Sequence, residues 1–295
     1  MSNNRQAELE MMPRWVTVGL FAGLVATALW TTARPAMAQP GVQGPRLYVF
    51  DCGTLINLRP ETYNLTREEV PDPTMSVSCY LVVHPKGTLL YDTGLSDKLV
   101  GRPLYETKRG QTSQLVLKTL RGQLADIGYT PDKINYLVIS HMHFDHVSNA
   151  NDYARATWLV QKVEREAMFG DNLQAQVMNP DYAALKTAKT QLLEGDYDVF
   201  ADGAVVIKST PGHTIGHQSL FVKLARTGGV VLSGDLYHYP AERTLKRMPD
   251  REKTTQTPAS RAALEVFLKN TGAQLWIGHD ILAFAKQRKS PEYYD

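Results

Sequence analysis

The stretch SHMHFDH, residues 140–146, decides the fold of this chain. It follows the apolar run INYLVIS, residues 134–140, whose length and composition predict a strand buried on both faces. In an extended segment His141 and His143 point the same way, so both can bind one metal ion, and a turn after them directs the next Asp and His to a second ion. Imidazole and carboxylate groups both suit Zn, Mn or Fe. The stretch therefore predicts a metal site at the end of a buried strand.

Three further apolar segments end in residues of the same kinds. His213 lies in TPGHTIGH after a strand predicted at 203–208, Asp235 lies in SGD after VVL, and His279 lies in GHD after QLWI. Polar residues at the carboxyl ends of strands converge on one edge of an α/β sheet. Each of the three alone is as typical of a capping or loop residue as of a metal ligand. Together with residues 140–146 they predict one site built from four strand ends.

The rest of the chain alternates strands with helices, which predicts an α/β fold. The predicted strands are 46–53, 77–83, 88–94, 134–140, 157–161, 203–208, 219–224 and 229–233, and the predicted helices are 111–127, 162–169 and 257–270. Two irregular segments remain, residues 54–75 and 236–256, rich in Pro, Tyr, Thr and Arg. Long segments of this kind tend to carry function.

Composition excludes several classes of protein. The 295 residues are 43% hydrophobic, and 32 basic residues stand against 30 acidic ones, for a formal charge of +2. A disordered chain is excluded, and no basic segment marks a nucleic-acid interface. The two cysteines cannot form a disulfide scaffold or a zinc ribbon. Cys52 and Cys79 lie in strand-like segments, and two readings stay open for them: a disulfide or two buried thiols.

The first 38 residues have the pattern of a secretory signal peptide. The uncharged stretch 15–30 is short for a membrane span, and Ala36-Met37-Ala38 supplies small residues for cleavage. An uncleaved anchor helix is the alternative. We predict export to the periplasm or the medium, a linker at 39–45 and a catalytic domain at 46–295.

The HxHxDH run, followed by PGHT, SGD and GHD, resembles the metallo-β-lactamase-fold hydrolases over residues 46–295. The resemblance implies an αββα sandwich with two divalent metal ions, Zn first, with Mn, Fe or Co as alternatives. It assigns His141, His143 and His213 to the first metal, Asp145, His146 and His279 to the second, and Asp235 to both. Asp92 in the DTG segment also matches a family position and is expected to support the ligands.

Among these hydrolases the chain looks most like the N-acyl homoserine lactonases, which quench quorum signals. The carboxylate of Asp235 is absent from the secreted β-lactamases of the family. VFDCGTL, the HFDH form, and the steps of 22 residues from His213 to Asp235 and 44 on to His279 add to the likeness. The chain departs from the lactonases at Ser148, where Gly is usual, and at His238, where they place a substrate-directing Tyr.

The resemblance implies that a metal-bridging hydroxide attacks a lactone carbonyl. Tyr237, Tyr239 or His238 itself is expected to donate to the carbonyl oxygen, and Asp145 to transfer the proton to the leaving alkoxide. Phe144 and Tyr63 are candidates for an apolar pocket that holds an acyl chain, and ordinary packing is the alternative for both.

Other functions remain as alternatives. A periplasmic metallo-β-lactamase, a glyoxalase II-like thioesterase, and a promiscuous esterase or phosphotriesterase would use the same metals. A mononuclear iron dioxygenase would use a subset of the ligands, and a binding module on an inactive scaffold would lose some of them. The expected partner is a small lactone or ester and not a nucleic acid, membrane contact is limited to the signal segment, and a homodimer is left open.

Overall fold

A computed structural model describes residues 43–56, 58–106, 112–170 and 180–295, which belong to one compact unit. The predicted signal segment 1–38 and residues 39–42 of the predicted linker lie outside the described residues, so both stay predictions. Within the described part of the chain, no helix is both long enough and apolar enough to cross a bilayer.

Two sheets contain the strands of the described residues. The large sheet has the order β4-β5-β1-β2-β3-β6-β7-β8, and the small sheet has the order β13-β12-β11-β10-β9. The strands are β1 Arg46–Ile56, β2 Met75–His84, β3 Gly87–Tyr91, β4 Tyr105–Glu106, β5 Ser113–Leu115, β6 Tyr136–Val138, β7 Thr157–Gln161, β8 Thr190–Leu193, β9 Tyr197–Asp198, β10 Val205–Ser209, β11 Gln218–Leu224, β12 Gly228–Leu232 and β13 Gln274–Trp276.

Short helices connect these strands. The α-helices are α1 Leu120–Asp126, α2 Phe144–Val147, α3 Lys162–Phe169, α4 Pro240–Thr244, α5 Thr257–Thr271 and α6 Ile281–Lys286. Short 3-10 helices occupy Pro60–Tyr63, Asp97–Leu99, Pro131–Lys133, Ala150–Tyr153, Pro180–Thr187, Gly234–Leu236 and Asp250–Glu252.

The layers follow from the alternation of side chains along β1. Leu47 and Val49 face the small sheet and pack with residues of β10, β11 and β12. Tyr48 and Phe50 face the other way, into a core shared with α1 and α3. A third cluster joins the outer face of the small sheet to α5. Because successive residues of a strand point to opposite faces, these three clusters define helix, sheet, sheet and helix layers. The predicted αββα sandwich is confirmed.

The predicted helix at 111–127 is wrong in its first half. Ser113–Leu115 is β5, which pairs antiparallel with residues 54–56 of β1. The helix begins only at Leu120, where the Thr119 hydroxyl accepts a hydrogen bond from the Gly122 N–H at 3.0 Å. The open flank of β1 supplies main-chain partners that the leucine spacing could not reveal.

Cys52 and Cys79 form a disulfide between neighbouring strands, with their Cα atoms 5.8 Å apart. This resolves the two readings left open by the sequence. Gly94, at φ 69°, lies against both half-cystines, and a Cβ there would collide with Cys52. The Asp92-Thr93-Gly94 turn after β3 therefore rests directly on the disulfide.

The start of β1 is paired with the last residues of the chain. The Leu47 N–H donates to the Tyr294 carbonyl at 2.8 Å, and the Tyr294 N–H donates back at 2.9 Å. The Asp295 carboxylate accepts two hydrogen bonds from the Arg226 guanidinium. These contacts close the flank of β1 opposite β2 at that end of the large sheet.

Candidate metal centre

The candidate site lies where strands of both sheets end. Asp92 follows β3, the HxHxDH segment follows β6, His213 follows β10, and Asp235 follows β12. His279 follows β13, which lies parallel to β12. The structure brings together all seven residues that the sequence proposed as ligands.

A first group consists of three imidazoles and one carboxylate oxygen. His143 Nδ1 lies 2.9 Å from His141 Nε2 and 2.9 Å from His213 Nε2. Asp235 Oδ2 lies 3.5 Å from His141 Nε2 and 3.3 Å from His213 Nε2. Four ligand atoms at such distances enclose a point suited to a single cation.

A second group lies on the other side of Asp235. Asp235 Oδ1 is 3.1 Å from His146 Nε2 and 3.0 Å from His279 Nε2. Asp145 Oδ2 lies 3.5 Å from His279 Nε2 and 3.7 Å from His146 Nε2. The two oxygens of Asp235 therefore face different groups, which is the arrangement of a carboxylate that bridges two metals.

The residues fit two divalent cations. His146 Nε2 and Asp235 Oδ1 lie 3.1 Å apart and are buried, yet neither has a partner in hydrogen-bond geometry among the described residues. Such orphaned atoms are costly unless an ion binds them. Nitrogen and carboxylate ligands in two adjoining sets are the donors that Zn and neighbouring metals prefer.

The electrostatics of the site agree with this fit. Burial lowers the pKa of His141 and of His213 well below the ordinary imidazole value, which favours the neutral form that can bind a metal. Burial also opposes the charge on His146, but Asp235 and Asp145 outweigh it and raise its pKa. Cations in the site would displace protons from such groups.

Buried carboxylates orient the ligands from outside. Asp92 Oδ2 lies 2.8 Å from His146 Nδ1, and its Oδ1 accepts from the Ser140 N–H at 2.6 Å. Glu252 Oε1 lies 2.9 Å from His213 Nδ1 and is almost fully buried. Because a carboxylate on the far nitrogen fixes ring and tautomer, both residues support metal binding. The supporting position of Asp92 was predicted, whereas Glu252 was missed because nothing local distinguishes it from a surface glutamate.

Two further residues connect the ligand loops. Glu164 accepts from the Met142 N–H through Oε1 at 2.9 Å and from the Gly216 N–H through Oε2 at 2.8 Å. His217 Nε2 accepts from the Asp235 N–H at 2.9 Å, and burial lowers the pKa of His217 to about 3. The bridging residue is thus held through its main chain as well as its side chain. No local sequence pattern distinguished Glu164 from the exposed residues of the predicted helix at 162–169.

Tyr237 does not face the site, contrary to the expectation that it donates to a substrate. Its hydroxyl donates to Glu265 Oε1 at 3.1 Å, and the Arg261 guanidinium lies over its ring at 4.3 Å. The alternation of side chains along this extended segment turns Tyr237 towards α5. Tyr239 also points elsewhere, since its hydroxyl donates to the Pro73 carbonyl at 2.8 Å.

His238 reaches the site between these two tyrosines. Its Nε2 lies 3.4 Å from Asp235 Oδ2, and its Nδ1 lies 3.2 Å from Glu242 Oε2. Burial opposes its charge, but Glu242 and Asp235 raise the pKa of His238 to about 10. The ring of Tyr63 lies 4.5 Å from the ring of His238. Phe144 is 41% exposed beside the ligand His143, so it is available to a substrate.

Known proteins resemble this chain in sequence and in fold. A sequence profile described as the metallo-beta-lactamase superfamily matches residues 72–279, a range that contains all seven proposed ligands. An N-acyl homoserine lactonase AttM from Rhizobium johnstonii is 29% identical over 270 residues, covering 84% of this chain and 98% of that protein. An N-acyl homoserine lactonase from Bacillus thuringiensis is 28% identical over 226 residues, covering 74% and 87%. A solved N-acyl homoserine lactone hydrolase, with the product N-hexanoyl-L-homoserine at its catalytic metal center, superposes with a TM-score of 0.68 at 26% identity, covering 84% of this chain and 98% of that one.

Proposed function

The chain belongs to the metallo-beta-lactamase superfamily, and on that premise we propose that it is a metal-dependent hydrolase that opens the lactone ring of N-acyl homoserine lactones. The observation that carries the proposal is Asp235, whose two oxygens face two separate groups of ligands. A carboxylate in this position would hold two divalent cations side by side, one through each oxygen. The names of the similar proteins support the choice of substrate.

The chemistry divides between the cations and the chain. Two bound divalent cations supply a water activated at neutral pH and a Lewis acid for the carbonyl oxygen. Asp145 directs Oδ2 towards His146 and His279, so its other oxygen is left to carry the proton to the leaving alkoxide. His238 lies beside Asp235 through Nε2, and the ring of Tyr63 packs on the ring of His238, so these two side chains form the wall of the site next to the carbonyl oxygen. Phe144, exposed at the start of α2, lines the approach of the acyl chain.

A panel of five substrates tests this function: an N-acyl homoserine lactone, a simple γ-lactone, nitrocefin, a phosphotriester and S-lactoylglutathione. Metal content is measured by elemental analysis on the same sample. We expect the highest kcat/KM on the acyl homoserine lactone, with two equivalents of metal per chain. Protein that carries two equivalents and opens neither lactone would contradict the proposal.

We further propose zinc as the native metal and the periplasm or the medium as the location. The imidazole-rich ligand set supports zinc. The Cys52–Cys79 disulfide supports export, because disulfides persist in oxidising compartments. Fractionation of a bacterial host that expresses the full chain should recover the protein outside the cytoplasm, cleaved after Ala38. Recovery of the uncleaved chain from the cytoplasm alone would contradict the export proposal.

A further inference from the structure

His238, three residues after Asp235, already has a partner at each ring nitrogen. Both nitrogens of His238 face carboxylates, Nε2 towards Asp235 and Nδ1 towards Glu242. Glu242 is itself fixed, since it accepts from the Tyr239 N–H at 3.0 Å and from the Arg261 guanidinium at 3.0 Å. His238 is only 2% exposed. A side chain held in this way supports its neighbours but is poorly placed to meet a substrate.

Tyr63 lies over His238 from a different part of the chain. It ends the 3-10 turn Pro60–Tyr63, and its ring lies 4.5 Å from that of His238 and 5.3 Å, edge-on, from that of Tyr239. Unlike His238 it is only partly buried, and it lines a cavity of about 210 Å³ with Leu58 and Thr112. Its ring therefore packs against His238 and Tyr239, and part of its surface borders this cavity.

The segment that carries Tyr63 is fixed to the opposite irregular segment. Asn64 Nδ2 donates to the Met248 carbonyl at 2.8 Å, and the Arg247 guanidinium donates to the Asn64 carbonyl at 2.9 Å. The same guanidinium binds Glu69 at 2.8 Å. These hydrogen bonds hold the residue next to Tyr63, so the phenol is placed before any substrate arrives.

We propose that the Tyr63 hydroxyl is the catalytic hydrogen-bond donor to the carbonyl oxygen of the substrate, and that His238 is a positioning residue that supports the Tyr63 ring. The proposal rests on the proposed function, because it requires a carbonyl substrate at the metal centre. It gives a role to a tyrosine that reaches the site from the connection between β1 and β2.

The charges around Tyr63 agree with this role. Burial raises the pKa of Tyr63 well above the ordinary phenol value, and Asp235 and Asp145 raise it further. The phenol therefore keeps its proton across the working pH range and lies in the field of both carboxylates. A neutral O–H in that position donates to an oxygen that becomes negative during attack.

The test is Tyr63→Phe, with Tyr293→Phe as the matched control. Both changes remove one phenol oxygen and keep the ring. Tyr293 packs on Tyr48 of β1 and is not one of the residues of the proposed site. We expect Tyr63→Phe to lower kcat by about 10²-fold, the effect of removing one oxyanion donor, with KM changed less than about threefold. Both variants should keep two metal equivalents and the wild-type melting temperature. A kcat within about twofold of wild type, or an equal loss in the control, would overturn the proposal.

Failure of the proposed function gives a different result. If wild-type protein opens no lactone but hydrolyses another carbonyl substrate of the panel, the substrate is wrong, and Tyr63→Phe must still lower that rate by about 10²-fold. If no carbonyl substrate is turned over, calorimetric titration with N-hexanoyl-L-homoserine decides. Tyr63→Phe should then weaken binding by about tenfold, as expected for one lost hydrogen bond. Equal binding by both proteins, or no binding by wild type, would count against the role of Tyr63.

Discussion

The two sides of the site are built by different means. The metal side comes from strand ends, where the hydrogen-bonded sheets fix the main chain and each ligand is a few residues beyond a strand. The proposed substrate side comes from the connection between β1 and β2 and from the connection between β12 and α5, which hold each other through contacts such as Asn64 with Met248 and Tyr239 with Pro73. The first side inherits its geometry from the fold, whereas the second depends on single side chains. Substitutions on the metal side should therefore change metal binding, and substitutions on the substrate side should change turnover.

The largest effect should come from the residue that joins the two ligand groups. Asp235→Asn replaces a bridging carboxylate by a neutral amide, and we expect lactone opening to fall at least about a thousandfold, since several kcal/mol of charge stabilisation depend on the metals. His143→Ala should act in the same way. Circular dichroism should show an unchanged fold, because both residues lie beyond the sheets. A near-normal rate in either variant would refute a dinuclear mechanism.

Removal of the metals should destabilise the folded domain. The buried imidazoles and carboxylates of the site lose the ions that compensate their burial, and an ion present at 100 times its Kd contributes about 2.7 kcal/mol. We expect a chelator to lower the melting temperature by at least about 5 °C. Added Zn²⁺ should restore it in wild type but not fully in Asp235→Asn. An unchanged melting temperature after chelation would show that the metal centre does not depend on bound ions for its stability.

The carboxylates behind the ligands should have a smaller effect on the same side. Glu252→Gln and Asp92→Asn weaken the fixation of His213 and His146, and we expect each to lower metal affinity by about 10- to 100-fold. Competition with a chromophoric chelator measures this loss. Glu265→Gln is the control, because Glu265 binds Arg243 at the partly exposed face of α5. Equal metal affinities in Glu252→Gln and in the control would show that Glu252 does not support metal binding.

The smallest effect should come from the tyrosine that points away from the site. Tyr237→Phe removes a hydroxyl that donates to Glu265, so we expect kcat/KM within about twofold of wild type. The free energy of unfolding should fall by about 1 kcal/mol, the value of one hydrogen bond. Steady-state kinetics and urea titration check both numbers. A loss of kcat/KM above tenfold at unchanged metal content would show that Tyr237 acts on the substrate.

The same division explains what the sequence could predict. The strand at 157–161 and the helices at 162–169 and 257–270 were predicted within a residue or two, because periodicity and flanking Gly and Pro are local signals. The seven candidate ligands were found together for a similar reason, since they lie in short motifs that follow predicted strands.

The contacts that support the ligands and the loops were harder to predict from the sequence. Glu252 meets His213 across 39 positions, and Asn64 meets Met248 across 184. Such partners depend on how loops fold back on the sheets, and no local pattern encodes them. The prediction that Tyr237 faces the site was wrong for a related reason. In this short extended segment the side chain of its neighbour His238 points towards the metal centre, so that of Tyr237 points away.

The pairing of Leu47 with Tyr294 has a consequence for biosynthesis. The first strand of the large sheet obtains its last main-chain partners only after residue 294 has left the ribosome. A shorter nascent chain leaves that end of β1 as a bare edge, open to pairing with other chains. The main-chain pairing of β1 therefore becomes complete only when residues near position 294 are available to it. A chaperone that keeps the growing chain unfolded until it is released would protect this edge.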